Sequence, residues 1–149
     1  MASAEEILEA NEKIVYRTGL HGALLGGPLM LLFITGLLVP SKGLPALLFV
    51  AIAVIWGVLA YLSIQRSEFV ITDRRVIIRV LMPVKRSWEI PLIEIADADI
   101  YQPGLGKLLN FGKIILRLTN GRRIAFRLVS DPYGFMAHLR EQTIAARNR

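Results

Sequence analysis

Two long apolar stretches lie near the start of this 149-residue chain, at residues 22–39 and 44–64. Between His21 and Arg66 the sole charged side chain is Lys42, in the short turn that joins the two stretches. A helix that crosses a bilayer core needs about 20 apolar residues, within a range of about 17–25. Both stretches reach that range, so the pattern predicts two transmembrane helices that form an antiparallel hairpin.

Two other interpretations fit this pattern less well. A hairpin buried in a soluble core would need a large cover, and the rest of the chain is too small to hide two uncharged helices. A cleaved signal peptide begins with positive charge, whereas residues 1–21 carry a net charge of −2. We therefore expect a lead-in over residues 1–21 and a transmembrane hairpin over residues 22–65.

Small residues recur at helical spacing within the two stretches. Such residues let helix backbones approach closely in lipid, where hydrophobic burial does not drive association. The close approach can serve the hairpin itself or a partner protein. The residues concerned are Gly22, Gly26, Ala46, Ala53, Gly57 and Ala60.

Charge is distributed unevenly along the chain. The net charge of +6 divides into −2 over residues 1–21, +1 in the turn and +7 over residues 66–149. The positive-inside rule then places both termini in the cytoplasm. An apolar content of 54% excludes an intrinsically disordered chain, and the absence of cysteine excludes a disulfide scaffold and a thiolate zinc site.

After residue 66 the hydrophobic period changes from helical to two, which predicts a small domain of strands over residues 66–149. Asp131-Pro132 then begins a terminal helix over about 131–146, with Ser130 or Asp131 as its N-cap. The predicted strands are 68–71, 75–80, 86–90, 95–102, 113–118 and 122–128.

The last two strands form a hairpin whose register can be predicted. A three-residue loop, Thr119-Asn120-Gly121, pairs Leu116 with Ile124 and Ile114 with Phe126, which gives one apolar face.

On the opposite face this register sets Arg117 across from Arg123 and Lys113 across from Arg127. Like charges in such positions destabilise a sheet. Either Asp97 and Asp99 on a neighbouring strand offset them, or the face meets anionic lipid or an acidic partner. The candidate contact residues are Lys85, Arg86, Lys113, Arg117, Arg123 and Arg127.

Four segments of the chain resemble, in the same order, those of the bacterial PH-domain family bPH2, formerly DUF304. They are EFVITDRRVI at 68–77, EIPLIEI at 89–95, QPGLGKLLNFG at 102–112 and Asp131-Pro132. The resemblance extends over about residues 12–142 and implies the short type with two transmembrane helices before one PH-like domain. The implied fold is an α+β, mainly β domain: a PH-like antiparallel barrel or two packed sheets closed by a C-terminal helix. The implied location is a bacterial inner membrane.

The family-motif residues have structural explanations that need no ligand. Thr72 and Asp73 can bond to the backbone of a tight turn, and Arg75 is expected to pair with a nearby carboxylate. The glycines are expected to adopt backbone conformations closed to other residues; they are Gly104, Gly106 and Gly112.

Catalytic chemistry has little support in this sequence. Its only histidines are His21, at the predicted membrane boundary, and His138, in the terminal helix. We expect no cofactor, no metal and no nucleic acid, since no recognition motif for nucleic acid occurs. The sequence predicts a non-enzymatic binding or scaffolding module whose partners are membrane lipid and a membrane protein or a second copy. Recognition of anionic lipid is the alternative, and a cryptic hydrolase using His138 and Asp97 is a remote one.

Overall fold

The structure is a computed structural model that describes residues 8–9, 11–81 and 85–149. Within them a helical hairpin is followed by two antiparallel sheets and a C-terminal helix. The helices are α1 (Gly26–Lys42), α2 (Leu44–Arg66), α3 (Gly104–Leu109) and α4 (Pro132–Arg147). The strands are β1 (Ile14–Gly19), β2 (Glu68–Thr72), β3 (Arg75–Val80), β4 (Arg86–Pro91), β5 (Ile95–Tyr101), β6 (Phe111–Leu118) and β7 (Arg123–Ser130).

The first sheet has the order β1-β2-β3-β4 and the second the order β5-β6-β7. Inward-facing side chains of both sheets form one core, which α4 covers with Phe135, Met136 and Leu139. Just after β1 an isolated bridge from Leu20 to Val129 of β7 joins the two sheets. Of the two predicted alternatives, the structure has two packed sheets rather than a closed barrel.

Strand β1 lies in the segment that we predicted to be a lead-in. It pairs antiparallel with β2, from Ile14 opposite Thr72 to Gly19 opposite Glu68. The sheet domain therefore does not begin at residue 66, and the two long helices are an insertion between its first two strands. We did not predict β1, because it is only six residues long and the whole hairpin separates it in the sequence from its partner strand β2.

The two long helices are each apolar enough and long enough to cross a membrane, over Gly22–Lys42 and Leu44–Arg66. A short 3-10 helix, Gly22–Leu25, precedes α1. The turn between the helices was predicted at residues 40–43 but is shorter. Helix α1 continues through Pro40 to Lys42, and the chain reverses at Gly43, whose φ is 60°.

The alanine stripe packs inside the hairpin. Ala46, Ala53 and Ala60 are buried where α2 meets α1, and a side chain added at Gly57 would lie 3.7 Å from Pro28. Gly22 and Gly26 were predicted to form part of the same packing, but a Cβ on either would meet no atom of another element within 4 Å.

The predicted register of the last hairpin is confirmed. Ile114 pairs with Phe126, Leu116 with Ile124, and Arg117 with Arg123. Gly121 adopts the left-handed conformation that the three-residue loop requires, with a φ of 81°.

The predicted pair of Lys113 with Arg127 does not form. Strand β7 has one extra residue between the Ile114–Phe126 and Gly112–Val129 pairs. Leu128 takes a φ of 58° within this bulge.

Candidate functional site

A cavity of about 390 Å³ lies where the base of the helical hairpin meets the open end of the two sheets; we call it the junction pocket. This volume falls within the range of about 300–1,000 Å³ that is typical of small-molecule pockets. Three of its lining residues are polar, namely Ser63, Arg86 and Arg127. Its apolar wall includes Leu20, Leu24, Phe69, Val80, Trp88 and Phe126.

Aromatic rings form the inner wall of the junction pocket. The ring of Phe126 lies edge-on to Trp88 at 5.3 Å and to Phe69 at 5.7 Å between centroids. Both are favourable geometries for aromatic pairs. Because Phe126 belongs to the second sheet and the other two rings to the first, these contacts hold the sheets together and fix the shape of the pocket.

The hydroxyl of Ser63 is an unusual feature of the pocket lining. Ser63 lies on the last turn of α2 and has no exposed surface. Among the residues that the structure describes, its Oγ has no hydrogen-bond partner. Leaving a buried polar group unsatisfied costs about 1–3 kcal/mol, so a ligand that accepted a hydrogen bond from this hydroxyl would recover that loss.

The two arginines of the junction pocket are both exposed as well as lining it, and therefore lie at its mouth. Across residues 8–9, 11–81 and 85–149 neither side chain makes an ion pair. Arg86 of β4 lies opposite Val80 of β3. This pair is one residue nearer the hairpin than the row in which β1 ends and β2 begins. Arg127 immediately precedes Leu128, whose carbonyl accepts a hydrogen bond from the backbone of His21 at the entry to the hairpin. Both guanidinium groups thus belong to the end of the domain nearest the apolar helices.

Arg117 has a different environment. Its guanidinium pairs with Asp99 and lies 3.7 Å from Asp97. The two carboxylates therefore offset the charge of Arg117, which was the first of the two alternatives predicted for this face. Arg123 lies directly opposite, next to the β6–β7 loop and at the end of the sheet away from the hairpin. Lys113 is half-buried opposite Tyr101, and Lys85 is exposed before β4. The six candidate basic residues therefore do not form one surface.

A second polar cluster holds the N-terminal segment to the first sheet. The carboxylate of Glu12 is fully buried and accepts hydrogen bonds from Arg75 at 2.9 and 3.1 Å and from the Thr72 hydroxyl at 2.7 Å. Burial alone raises the pKa of Glu12, but these hydrogen bonds and one from the backbone of Glu9 outweigh it and lower the pKa below its ordinary value. Arg75 also pairs with Glu89 at 3.0 Å. This cluster is a structural clamp on Glu9 and residues 11–13.

Thr72 and Asp73 form the tight turn between β2 and β3. The Thr72 hydroxyl accepts hydrogen bonds from the backbone N–H groups of Arg74 and Arg75 at 3.3 and 3.0 Å. The Asp73 carboxylate accepts one from the backbone of Lys13 at 3.1 Å. Thr72 therefore makes the local bonds expected of it, whereas the Asp73 carboxylate bonds to Lys13 instead and connects the turn to the N-terminal clamp.

Comparison with known proteins decides the family. The family profile described as "Bacterial PH domain" matches residues 25–143, which include both long helices and every strand of the two sheets except β1. The chain belongs to the bacterial PH domain family. A solved structure, a DUF1696 family protein with a pleckstrin-homology domain from Shewanella loihica PV-4, has the same fold with a TM-score of 0.51. It is 10% identical, over 93% of this chain and 88% of that one. No curated protein sequence matches the chain.

The glycines of this bacterial PH domain act differently from the prediction. Positive φ values do not occur at Gly104, Gly106 or Gly112. Gly106 is required by close approach, because a Cβ there would lie 2.5 Å from the carbonyl oxygen of Phe111. A Cβ on Gly112 would lie 2.8 Å from the side chain of Gln102, whereas one on Gly104 would meet nothing within 4 Å.

The two residues of the hydrolase alternative take part in separate contacts of the PH domain. His138 stacks on Tyr16 at 4.5 Å, and its Nδ1 bonds the Gly134 carbonyl at 2.7 Å. Asp97 faces Arg117 on β5. Within residues 8–9, 11–81 and 85–149, no three His, Asp or Glu side chains group in a way that could hold a metal ion.

Helix α3 of the PH domain carries exposed leucines that the sequence analysis missed. Leu105, Leu108 and Leu109 are 69%, 80% and 49% exposed. Phe111, just after α3, stacks on His21 at 5.1 Å, so α3 lies beside the entry to the long helices. We predicted neither a helix nor a strand between the strands at 95–102 and 113–118, although leucines spaced at i, i+3 and i+4 are the signal of a helix with one apolar face.

Proposed function

We propose that this chain is a non-enzymatic binding and scaffolding module, anchored in a membrane by its helical hairpin and placed at the cytoplasmic face. The observation that carries the proposal is the surface of α1 and α2, which bear most of the large exposed hydrophobic side chains, including Phe33, Phe49 and Trp56. An exposed apolar surface of this extent is unfavourable in water and matches the hydrocarbon core of a bilayer.

The strand pairing supports an anchor with both ends on one side. Gly19 and Glu68 are paired, so the chain enters and leaves the hairpin at the same level. Two residues separate β1 from the 3-10 helix and one separates α2 from β2. The domain would therefore rest directly on the membrane, and the basic residues around it favour the cytoplasmic side.

The leucines of α3 favour the same placement. A short helix with an exposed apolar face beside the membrane entry can dip into the lipid headgroup region, as interfacial helices do. The β6–β7 loop lies about seven residues further along β6, or about 24 Å away at about 3.4 Å per residue. It should remain in water.

Single cysteines test both the anchor and its orientation, because the chain has none of its own. We expect the full chain to stay in the membrane fraction after carbonate extraction. In intact cells Ser41→Cys in the last turn of α1, at the tip of the hairpin, should react with an impermeant maleimide, whereas Asn148→Cys should react only after permeabilisation. Release by carbonate would contradict the anchor, and the reverse labelling pattern would contradict the orientation.

Fluorescent labels test the resting position of the domain. An environment-sensitive dye on Leu108→Cys should shift to the blue when the chain is in vesicles, and the same dye on Asn120→Cys should not. Equal spectra at the two positions would show that α3 does not lie in the interface.

Scaffolding is supported by the edge of β4, which among the residues that the structure describes pairs with β3 alone. Edge strands can accept an extended peptide as an additional strand, and Ser87 and Glu89 are exposed there. Cross-linking in native membranes followed by extraction in mild detergent should then recover a stoichiometric membrane-protein partner or a homo-oligomer. Recovery of a lone monomer would contradict this part of the proposal.

A further inference from the structure

We propose that the junction pocket binds one anionic membrane lipid, with an acyl chain between the two sheets and the phosphate at Arg86 and Arg127. The inference rests on the membrane anchor proposed above and adds a ligand class to it. It has three independent supports, which are the position of the pocket, its polarity and the unpartnered hydroxyl of Ser63.

The position of the pocket suits a molecule that enters from the bilayer. Ser63 precedes Arg66, the first charged residue after the hairpin, by three residues, or about 4.5 Å along a helix. Leu20 and Leu24 line the pocket where the chain enters the hairpin. An anchored domain would therefore hold the mouth of the pocket at the level of the lipid headgroups, and no exit into water would be needed.

The polarity of the pocket matches an amphiphile with a negative headgroup. Apart from Ser63, its interior is made of aromatic and aliphatic side chains, which suit an acyl chain. Its mouth carries two guanidinium groups that make no ion pair within the described part of the chain. Arginine binds phosphate through two parallel N–H groups, which makes it well suited to this position.

The hydroxyl of Ser63 provides a third contact. It is completely buried, lines the pocket and has no partner among the described residues. An ester or phosphate oxygen placed between the acyl chain and the headgroup could accept its hydrogen bond. The same lipid would then satisfy a polar group that the protein leaves unsatisfied.

Trp88 provides a direct readout of acyl-chain entry, since its ring lines the pocket while the other tryptophan, Trp56, lies on α2. In a Trp56→Phe background of the full chain, reconstituted in vesicles, the fluorescence is that of Trp88 alone. Phosphatidylglycerol brominated on its acyl chains should quench this fluorescence. Brominated phosphatidylcholine at the same mole fraction should quench it much less.

Two matched variants identify the headgroup contacts. Arg86→Ala with Arg127→Ala should raise the phosphatidylglycerol concentration needed for half-maximal quenching by about 30-fold, on the basis of the usual contribution of two basic side chains near anionic lipid. Arg66→Ala with Arg123→Ala removes the same charge from residues that do not line the pocket, and since only Arg66 lies beside the hairpin, it should change this concentration by no more than about fivefold. Ser63→Ala should raise it about fivefold and leave circular dichroism unchanged.

Three results would overturn the inference. They are equal quenching by the two brominated lipids, an equal effect of the two double-arginine variants, and full quenching by phosphatidylglycerol in all variants. Each of these can occur while the chain still resists carbonate extraction, so failure of the pocket is distinguishable from failure of the anchor.

Discussion

Neutralising Glu12 should loosen the N-terminal segment from the sheet domain. Its carboxylate has no exposed surface, and its partner Arg75 is 17% exposed. The substitution Glu12→Gln keeps the size of the side chain and removes its charge. It also replaces one of two acceptor oxygens with a donor that would face the donors of Arg75 or Thr72.

The size of the expected destabilisation follows from the burial of Glu12 and from the partners that Arg75 keeps. Removing one member of a buried ion pair costs about 3–5 kcal/mol, because the other charge is left without compensation. Arg75 is slightly exposed and retains Glu89 at 3.0 Å. We therefore expect a loss of about 2–3 kcal/mol in the free energy of unfolding of the domain.

Urea unfolding of the full chain in detergent micelles, followed by near-UV circular dichroism, measures this loss. A double-mutant cycle of Glu12→Gln with Arg75→Gln should give a coupling of about 2 kcal/mol. The exposed pair Arg117 and Asp99 is the control, with about 0.2–1 kcal/mol expected for such pairs. A coupling for Glu12 and Arg75 no larger than that of the control would refute the reasoning.

The pH dependence of stability gives a second readout of the same contact. The pKa of Glu12 is lowered in the folded chain from its ordinary value of 4.5. Its stabilising contribution should therefore be complete above about pH 4.5 and be lost as the pH falls through the lower folded value. The Glu12→Gln variant should lack this part of the acid transition, and an unchanged acid transition would contradict the assignment.

Two further substitutions test other contacts of the fold. Burial and the 2.6 Å hydrogen bond to Asp131 raise the pKa of Tyr16 to about 12, so its contribution should hold below pH 10 and be lost as the pH rises toward 12. Tyr16→Phe should destabilise the domain by about 1–2 kcal/mol in urea unfolding and remove that alkaline transition, and retention of the transition would exclude Tyr16 as its source. Gly106→Ala should lower the stability by about 1–3 kcal/mol, because its Cβ would collide with the Phe111 carbonyl. Gly104→Ala should be neutral or slightly stabilising within about 1 kcal/mol, and equal effects of the two alanines would contradict the close-approach explanation.

Much of the fold could be predicted because its signals are local. The apolar run of each long helix, the period-two strands and the Asp131 N-cap each depend on residues close together in the sequence. The register of β6 and β7 could be predicted because shifting it by one residue would have turned every apolar side chain to the opposite face. The bulge that separates Lys113 from Arg127 has no such signal, since it depends on how β7 meets β1.

The candidate site could be predicted only in part because its residues are brought together by the fold. Arg86 and Arg127 were among the six basic candidates, but nothing in the sequence distinguished them from Arg117, which the fold pairs with Asp97 and Asp99. Ser63 was not among the predicted site residues, because a serine near the end of an apolar helix usually bonds to the backbone of its own helix. Its unsatisfied hydroxyl is a property of three-dimensional packing alone.

The insertion of the hairpin between β1 and β2 bears on what a lipid site in this protein can do. On the proposed function the domain is always at the membrane, because three residues in total connect the helical segments to the paired strands. Binding of one lipid therefore cannot serve to recruit the domain. It can act only by changing the domain itself, and the junction pocket lies beside the contact between Phe126 of one sheet and Trp88 of the other. An acyl chain against these two rings would touch both sheets near the edge of β4. The composition of the cytoplasmic leaflet would then influence the same edge at which a partner strand is proposed to bind.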